Sequence, residues 1–171
     1  MSKTYQIKQN NLGYYEVMPK PSKEDLTEFY TNKYFQRAGR YDHSYSDEEI
    51  SYTHYCIDRK FSLLKKTFNQ DYSGKKLLEI GVGEGWTISF LNEKGLDVKG
   101  IDFSDFAVKH HNEHIAEKII LGDPDSIIYK MIEDDLQFDL IWLDNVLEHT
   151  PDPNRLLTNL NKISAPNAAI V

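Results

Sequence analysis

From Lys76 onward, short apolar runs alternate with segments of helical periodicity, and this alternation restricts the fold more than any other feature of the chain. Helix signals separate the runs, among them Gly95 at a helix end, Ser104 as an N-cap, and Asp152 followed by Pro153 at a helix start. The pattern predicts an α/β fold with a doubly wound, mostly parallel sheet and helices on both faces. The runs that we assign to its strands are residues 77–80, 98–102, 119–121, 138–143 and 168–171.

The first half of the chain is predicted to begin with an irregular arm and a short helix. The arm extends to about residue 21, and Ser22 then opens the helix, with Asp25 completing a capping box. Packing of this helix explains Tyr30 and Tyr34. Four other tyrosines lie in predicted loops, with no apolar stripe to explain them: Tyr14, Tyr15, Tyr41 and Tyr45.

A second helix is predicted over residues 53–69, where apolar residues recur at helical spacing. The polar residues 36–50 that precede it predict a loop, which we interpret as a lid over a ligand. We therefore divide the chain into an N-terminal arm and lid with a short helix, residues 1–52, and a ligand-binding α/β domain, residues 53–171.

The charge and composition of the chain exclude some classes of partner. The 171 residues include 27 acidic and 20 basic ones, a net charge of −7, whereas nucleic-acid binders normally carry a basic excess. No apolar run reaches the roughly 18 residues of a membrane helix. We therefore expect neither nucleic acid nor a membrane as a partner. The single cysteine, Cys56, excludes an internal disulfide and is typical of a reducing compartment, so a cytoplasmic location is expected.

Three histidines at helical spacing, His110, His111 and His114, are the arrangement that most suggests a metal. Structural zinc sites take four protein ligands, and no fourth ligand lies near these three in the sequence. We therefore expect a solvated helix face there and no metal site.

The residues that follow the predicted strands are the candidates for a binding site, because ligands of parallel α/β sheets bind at the carboxyl ends of the strands. Four such ends carry the glycine triplet of residues 81–85, then Asp102, Asp123, and Asp144 with Asn145. Glycine lets a ligand approach the backbone closely. Asp102 follows the first glycine by 21 residues, a spacing at which a carboxylate accepts hydrogen bonds from both ribose hydroxyls. Together these features predict a nucleoside site.

The spacing of the glycines argues against a dinucleotide. The dinucleotide fingerprint is G-x-G-x-x-G, whereas this chain has G-x-G-x-G, and Trp86 occupies the position of the third glycine. An indole at that position opposes the close packing of helix on strand. A nucleotide-dependent oxidoreductase or epimerase therefore stays as the less favoured alternative.

In sequence order, the segments LLEIGVGEG, GIDFS, LGD and FDLIWLDNVLEHTPDP resemble the successive motifs of class I S-adenosylmethionine-dependent methyltransferases. The resemblance covers residues 75–171. The leader PSKEDLTEFYTNKYF is similar to that of methyltransferases acting on bacterial glycans and secondary metabolites, and quinone methyltransferases are similar too. The resemblance implies a Rossmann-like fold. It also implies an enzyme that moves a methyl group from S-adenosylmethionine to an oxygen or nitrogen of a small-molecule acceptor, such as a sugar or secondary metabolite, and leaves S-adenosylhomocysteine.

The resemblance also implies which residues hold this cofactor. Residues of the first strand end would line its methionine side, and Asp102 would bind the ribose. Asp123 would take the adenine amino group, with Phe103 and Pro124 packing on the ring, and the fourth strand end would lie by the sulfonium. The implied set is Glu79, Gly81, Gly83, Gly85, Asp102, Phe103, Asp123, Pro124, Asp144 and Asn145.

Some of these residues have structural alternatives. Glu79 is equally consistent with binding backbone N–H groups of the glycine turn, and Asp123 before a proline is consistent with a helix cap. An oxygen nucleophile needs a base, for which His149 and His43 are the candidates near neutral pH. His149 is also explained as a polar residue at the start of a helix.

The predicted sheet is shorter than that of the family. The family has seven strands, and this sequence supplies four and the beginning of a fifth. We therefore expect that the C-terminal strands are missing, that Ile141 and Leu143 lack their cover, and that the open sheet edge leads to self-association. A second functional hypothesis follows, in which the chain is a cofactor-binding fragment without activity of its own.

Overall fold

The computed structural model of the chain describes residues 4–34 and 44–171. The strands in that part are β1 (Gln6–Gln9), β2 (Tyr15–Met18), β3 (Lys76–Ile80), β4 (Asp97–Asp102), β5 (Ile119–Leu121), β6 (Phe138–Trp142) and β7 (Ser164–Ile170). The first two form an antiparallel hairpin, and the other five form one parallel sheet in the order β5-β4-β3-β6-β7. The predicted α/β fold with a parallel sheet is confirmed.

The helices connect these strands. They are α1 (Lys23–Phe29), α2 (Asp47–Phe68), α3 (Trp86–Glu93), α4 (Phe106–His111), α5 (Pro124–Glu133) and α6 (Pro153–Lys162), with a π-helical turn at Tyr30–Tyr34 and 3₁₀ turns at Glu113–Lys118 and Leu147–His149. Within the described ranges, no helix combines the length and the apolar composition that crossing a bilayer requires.

The sheet is covered on both faces because successive strand residues point to opposite sides. In β3, Leu77 packs with α2, α3 and α4, whereas Leu78 packs with α5 and α6. In β6, Leu140 and Ile141 divide between the same two cores. Trp142 is fully buried on the side of α2 and α3. Each face of the sheet therefore has its own hydrophobic core, which is the predicted doubly wound arrangement.

The N-terminal arm contains more regular structure than the sequence predicts. In place of an irregular segment, β1 and β2 form the hairpin, whose four-residue strands are too short to give a clear alternating pattern. The helix α1 does begin as predicted, with both hydrogen bonds of the capping box between Ser22 and Asp25 present.

The long helix α2 begins earlier than predicted. Its first residue is Asp47 because Ser46 and Glu49 form a second capping box, so residues 47–50 are helical and the expected loop is wrong there. The rest of the predicted lid includes residues 35–43, which lie outside the described residues. The boundary that we drew after residue 52 falls inside α2, and the division into two parts stays a prediction.

The helix that Ser104 was predicted to cap is short and is followed by an interruption. Ser104 Oγ accepts a hydrogen bond from Phe106 N, and α4 begins only at Phe106. The backbone leaves the helical conformation at Asn112, whose Nδ2 donates to the carbonyl oxygen of Glu84 at 2.9 Å. A long-range hydrogen bond thus ends a helix that the local pattern would continue.

The strand β7 also begins before the apolar run that predicted it. Pairing with β6 begins at Ser164 and contains an irregularity in register. Ile141 and Leu143, expected to lack cover, are buried because α5 and α6 pack over that face. Leu143 N also donates to Val171 O at 2.8 Å. Self-association of two copies through the sheet edge stays a prediction.

Gly100, in the middle of β4, allows the turn after β3 to lie close to the sheet. A Cβ at this position would come within 2.5 Å of Val82 Cγ2 and 2.7 Å of Ile119 Cδ1. Both neighbours belong to the core on the α3 face. Because Gly100 has no side chain, the turn after β3 can pack closely against β4.

We predict that Gly100→Ala destabilises the chain by about 1–3 kcal/mol, because the added methyl group overpacks a closed part of the core. Urea unfolding measures the loss. The control is Lys99→Ala, an exposed neighbour on the same strand, whose stability should match the wild type. Equal stability of both variants would contradict the close approach.

Candidate functional site

The carboxyl ends of β3, β4, β5 and β6 meet at one edge of the sheet and enclose a cleft of about 300 Å³, here named the first cleft. This volume lies at the lower end of the range of small-molecule sites. Nine residues singled out from the sequence line it: Gly81, Gly83, Asp102, Phe103, Asp123, Pro124, Asp144, Asn145 and His149. Most of the site residues predicted at the strand ends therefore lie together in this cleft.

The turn after β3 uses backbone conformations that favour glycine. Gly81, Gly83 and Gly85 have φ angles of +71°, +57° and +83°. A Cβ on Gly81 would approach Val146 Cγ2 to 2.6 Å, and one on Gly85 would approach Val108 Cγ2 to 2.7 Å. A Cβ on Gly83 would meet none of the described atoms within 4 Å. The backbone of Gly83 is therefore open to a ligand in the first cleft.

Asp102, the last residue of β4, is directed at this turn. Its Oδ2 accepts a hydrogen bond from Gly83 N at 2.9 Å, and its Oδ1 accepts one from Ser104 N at 3.2 Å. Only 4% of the residue is exposed. Burial raises the pKa of Asp102 to about 6, although the backbone hydrogen bonds oppose the rise. At neutral pH the residue is an ionised, nearly dry acceptor beside the cleft.

Glu79, in β3, is a second buried carboxyl group. Its carboxyl group lies near the backbone N–H of Ile88 and the side chain of Thr87, in the first turn of α3. Its Oε2 is buried and has no hydrogen-bond partner among the described residues. Burial, with the charge of Asp102 nearby, raises the pKa of Glu79 well above its ordinary value. A buried carboxyl oxygen without a partner is a ready acceptor for a ligand group.

Asp123 caps α5 as well as lining the first cleft. Its Oδ2 accepts hydrogen bonds from Ser126 N at 3.0 Å and from Ser126 Oγ at 2.7 Å, and Lys23 Nζ of α1 lies 3.4 Å away. Pro124 takes the first helical position of α5, directly after this cap. The helix-cap alternative therefore holds for Oδ2, and the adenine assignment stays a prediction.

Lys60 places a positive charge beside the glycine turn. It extends from α2 and forms an ion pair with Asp144, in the loop after β6. Both residues line a second cleft of about 590 Å³, which also contains Glu79 and Gly85. The second cleft shares Gly81, Asp144 and Asn145 with the first. Sequence reasoning missed Lys60, because a lysine on the polar side of a helix gives no signal of its own.

Glu84, inside the glycine turn, is the centre of a cluster that the sequence did not reveal. Its carboxylate accepts hydrogen bonds from Tyr45 OH at 2.9 Å and from Trp86 Nε1 at 2.8 Å, and His111 Nε2 lies 3.6 Å away. Burial and the bond to Glu84 raise the pKa of Tyr45 to about 12. The expected solvated face is wrong for His111, whose ring contacts those of Tyr45 and Trp86.

The π-helical turn after α1 brings aromatic rings to the first cleft. Tyr30 stacks on Phe103 with ring centroids 5.3 Å apart and planes at 8°, and Tyr34 packs edge-on against Tyr30 at 5.2 Å. Both tyrosines line the cleft, so they belong to the site as well as to the packing of the helix. The periodicity of α1 explained them only as packing residues.

Of the two histidines suggested as bases, one lies among the described residues and the other does not. His149 ends the 3₁₀ turn Leu147–His149 and lines the first cleft together with Thr150 and Pro151. His43 lies outside the described residues. His149 is thus the candidate base whose position beside the cleft is known.

Comparison with known proteins identifies the class to which this fold and site belong. Residues 52–171 match the family described as "Methyltransferase domain". The match covers well over half of the chain, so the chain belongs to this family. The matched part contains the five-stranded sheet, the glycine turn and the acidic residues at the strand ends.

The chain is similar to curated proteins named ubiquinone biosynthesis O-methyltransferase. It is 32% identical to that of Psychrobacter cryohalolentis over an alignment of 114 residues that covers 63% of this chain and 43% of the relative. It is 27% identical to that of Pseudomonas aeruginosa over an alignment of 100 residues that covers 57% of this chain and 43% of the relative. The chain thus spans less than half the length of these relatives.

Solved structures of methyltransferases share the fold. The plantazolicin methyltransferase BpumL in complex with S-adenosylhomocysteine superposes with a TM-score of 0.61 at 21% identity, covering 86% of this chain and 56% of that chain. Magnesium protoporphyrin IX methyltransferase from Synechocystis, with bound S-adenosylmethionine, gives a TM-score of 0.58 at 16% identity, covering 83% and 71%. The Rossmann-like prediction is confirmed.

The pKa of Asp102 predicts a pH dependence of stability. Its value is about 6 in the folded chain, against 3.8 for the free side chain, so the folded state binds more protons between these values. The free energy of unfolding therefore falls as the pH rises through this window, by on the order of 3 kcal/mol from this group. Asp102→Asn removes the contribution. Urea unfolding at pH 4 and pH 7 should show a larger fall for the wild type than for the variant, and parallel pH profiles would contradict the raised pKa.

Proposed function

We propose that the chain is an S-adenosylmethionine-dependent methyltransferase that acts on a small-molecule acceptor. The observation that carries this proposal is the pair of joined clefts with different charge patterns. Aspartates line the first cleft, whereas the second adds Lys60 to the carboxylates. S-adenosylmethionine has a nucleoside at one end, an amino-acid zwitterion at the other and a sulfonium between them. The two clefts match these parts in order.

The first cleft suits the nucleoside. Asp102 would accept both ribose hydroxyls while its backbone hydrogen bonds hold it in place, and the bare backbone of Gly83 leaves room for the ligand. Phe103 offers an apolar ring, and Asp123 and Pro124 also line this cleft. Among the described residues that line this cleft there is no lysine or arginine, so a cationic ligand is favoured over an anionic one.

The second cleft suits the amino-acid end. Lys60 is the one lysine or arginine among the described residues that line either cleft, and it would bind the carboxylate of the ligand. The buried Oε2 of Glu79 would accept a hydrogen bond from the ammonium group. Gly81, Asp144 and Asn145, the wall common to both clefts, would then lie by the sulfonium.

When bound, S-adenosylmethionine supplies a methyl group that its sulfonium has already activated. The residues of the chain position the reactants and exclude water. Tyr30 and Tyr34 line the first cleft, and an aromatic face turned to a cation attracts it by about 0.5–2 kcal/mol. His149 would accept the proton of an acceptor hydroxyl, with His43 as the second candidate. The relatives named as O-methyltransferases favour oxygen as the atom that is methylated.

The rival functions have no support in the site. A dinucleotide would bring an anionic pyrophosphate to a cleft lined by aspartates, and Trp86 stands where the third fingerprint glycine would be. No contact among the described residues of the site specifically supports the hypothesis of an inactive cofactor-binding fragment. A cytoplasmic setting fits the free thiol of Cys56.

We predict that Asp102→Ala weakens binding of S-adenosylhomocysteine by about 2–4 kcal/mol, because two hydrogen bonds to a charged acceptor are lost. Titration calorimetry measures the change. Asp97→Ala, an exposed position at the opposite end of β4, is the matched control and should bind as the wild type does. Unchanged affinity of the Asp102 variant would exclude the ribose assignment.

We predict that Lys60→Met weakens S-adenosylhomocysteine about tenfold, or ~1.4 kcal/mol, and leaves methylthioadenosine unaffected, because only the first ligand has a carboxylate. Lys66→Met, an exposed lysine on the same helix, is the control. An equal loss for both ligands would show that Lys60 supports the fold of the cleft and does not bind the carboxylate.

A further inference from the structure

A third cleft of about 390 Å³, here named the hairpin cleft, lies between the β1–β2 hairpin and residues 147–153. Three tyrosines, Tyr5, Tyr14 and Tyr15, line it from the hairpin side. Two of them are among the tyrosines for which the sequence offered no core stripe. The cofactor contacts proposed above do not use this volume.

The hairpin cleft adjoins the first cleft through one short segment. His149, Thr150 and Pro151 line both volumes, so these three residues form the wall between them. A ligand in the hairpin cleft and the cofactor in the first cleft would therefore meet at this wall. His149, the candidate base, lies in it.

The hairpin side of the cleft exposes apolar surface. Tyr5 is 51% exposed, Tyr15 71% and Val17 44%. The register pairs Ile7 with Val17 and Gln9 with Tyr15, so Tyr15 and Val17 project from the same face of the hairpin. Large apolar side chains gathered on one exposed face mark a binding surface more often than single exposed residues do.

The charges on the hairpin side of the cleft compensate each other, so this side does not select a charged occupant. Glu16 and Lys20, both on the hairpin side, pair with each other at 2.9 Å. On the opposite side, Glu148 adds a carboxylate that can accept hydrogen bonds from hydroxyl groups, and Pro151 and Pro153 add flat apolar faces. The walls thus combine stacking surfaces with hydroxyl acceptors.

We propose that the hairpin cleft is the acceptor site, and that it takes a neutral, hydroxyl-bearing acceptor built on a ring with an apolar face. A phenolic ring and a pyranose ring both have this chemistry. Tyrosine rings stack on such faces. The hydroxyl to be methylated would reach past the shared wall into the first cleft, toward the sulfonium beside Gly81, Asp144 and Asn145. The oxygen–methyl bond would form as the sulfur–methyl bond breaks, and His149 would take the proton of the hydroxyl. This inference rests on the proposed methyltransferase function and adds the location and class of the acceptor.

Saturation-transfer difference NMR on the full chain with S-adenosylhomocysteine tests the inference. Phenol and methyl β-D-glucopyranoside serve as separate probes, and the probe that responds identifies the kind of ring. We expect Tyr15→Ala to lose most of the probe signal and Tyr129→Ala to retain it. Tyr129 is a matched control because it is 59% exposed on α5 and does not line the hairpin cleft.

Calorimetry on the same samples separates this inference from the function on which it rests. Tyr15→Ala should bind S-adenosylhomocysteine as the wild type does, because Tyr15 lies outside both cofactor clefts. Cofactor binding with no signal from either probe, or with a signal that Tyr15→Ala leaves unchanged, would overturn the acceptor site alone. Absence of cofactor binding to the wild type would overturn both proposals.

Discussion

The hydrogen bond from Gly83 N to Asp102 Oδ2, 2.9 Å long and largely shielded from water, joins the turn after β3 to the end of β4. In a dry environment such a bond is electrostatically stronger than in water. Gly100 permits the close approach on which it depends, and Gly81 N donates to Ile101 O at 2.8 Å beside it. The first and second clefts both depend on this turn, because its glycines form part of their walls.

Burial of two acidic side chains at this edge lowers the stability of the fold, and a bound ligand can offset this loss. Asp102 and Glu79 are nearly inaccessible, and burial raises the pKa of each. Perturbed carboxyl groups beside a cleft are more typical of functional sites than of structural ones. A ligand with hydroxyl groups and positive charge would supply Glu79 Oε2 with the partner that the described residues do not provide, and would add to the backbone donors of Asp102. The positive charge and hydroxyl groups of the proposed cofactor therefore complement the acidic walls of the clefts.

The sheet and its binding edge could be predicted because they depend on local signals. Each apolar run produced a strand, and the ends of the first four of these strands carried the expected glycine or aspartate. Contacts between distant segments could not be predicted in this way. Lys60 reaches Asp144 across 84 positions, and Tyr45 reaches Glu84 across 39. The early start of α2 was missed for a different reason, because its capping box lies within a polar stretch that has no apolar stripe.

A crystal structure of the chain with S-adenosylhomocysteine tests the proposed binding of the cofactor. The ribose hydroxyls should lie within hydrogen-bond distance of Asp102 in the first cleft. The amino-acid end should lie beside Lys60 and Glu79 in the second cleft. A nucleoside bound in the second cleft, or a ligand that lies outside both clefts, would contradict this arrangement.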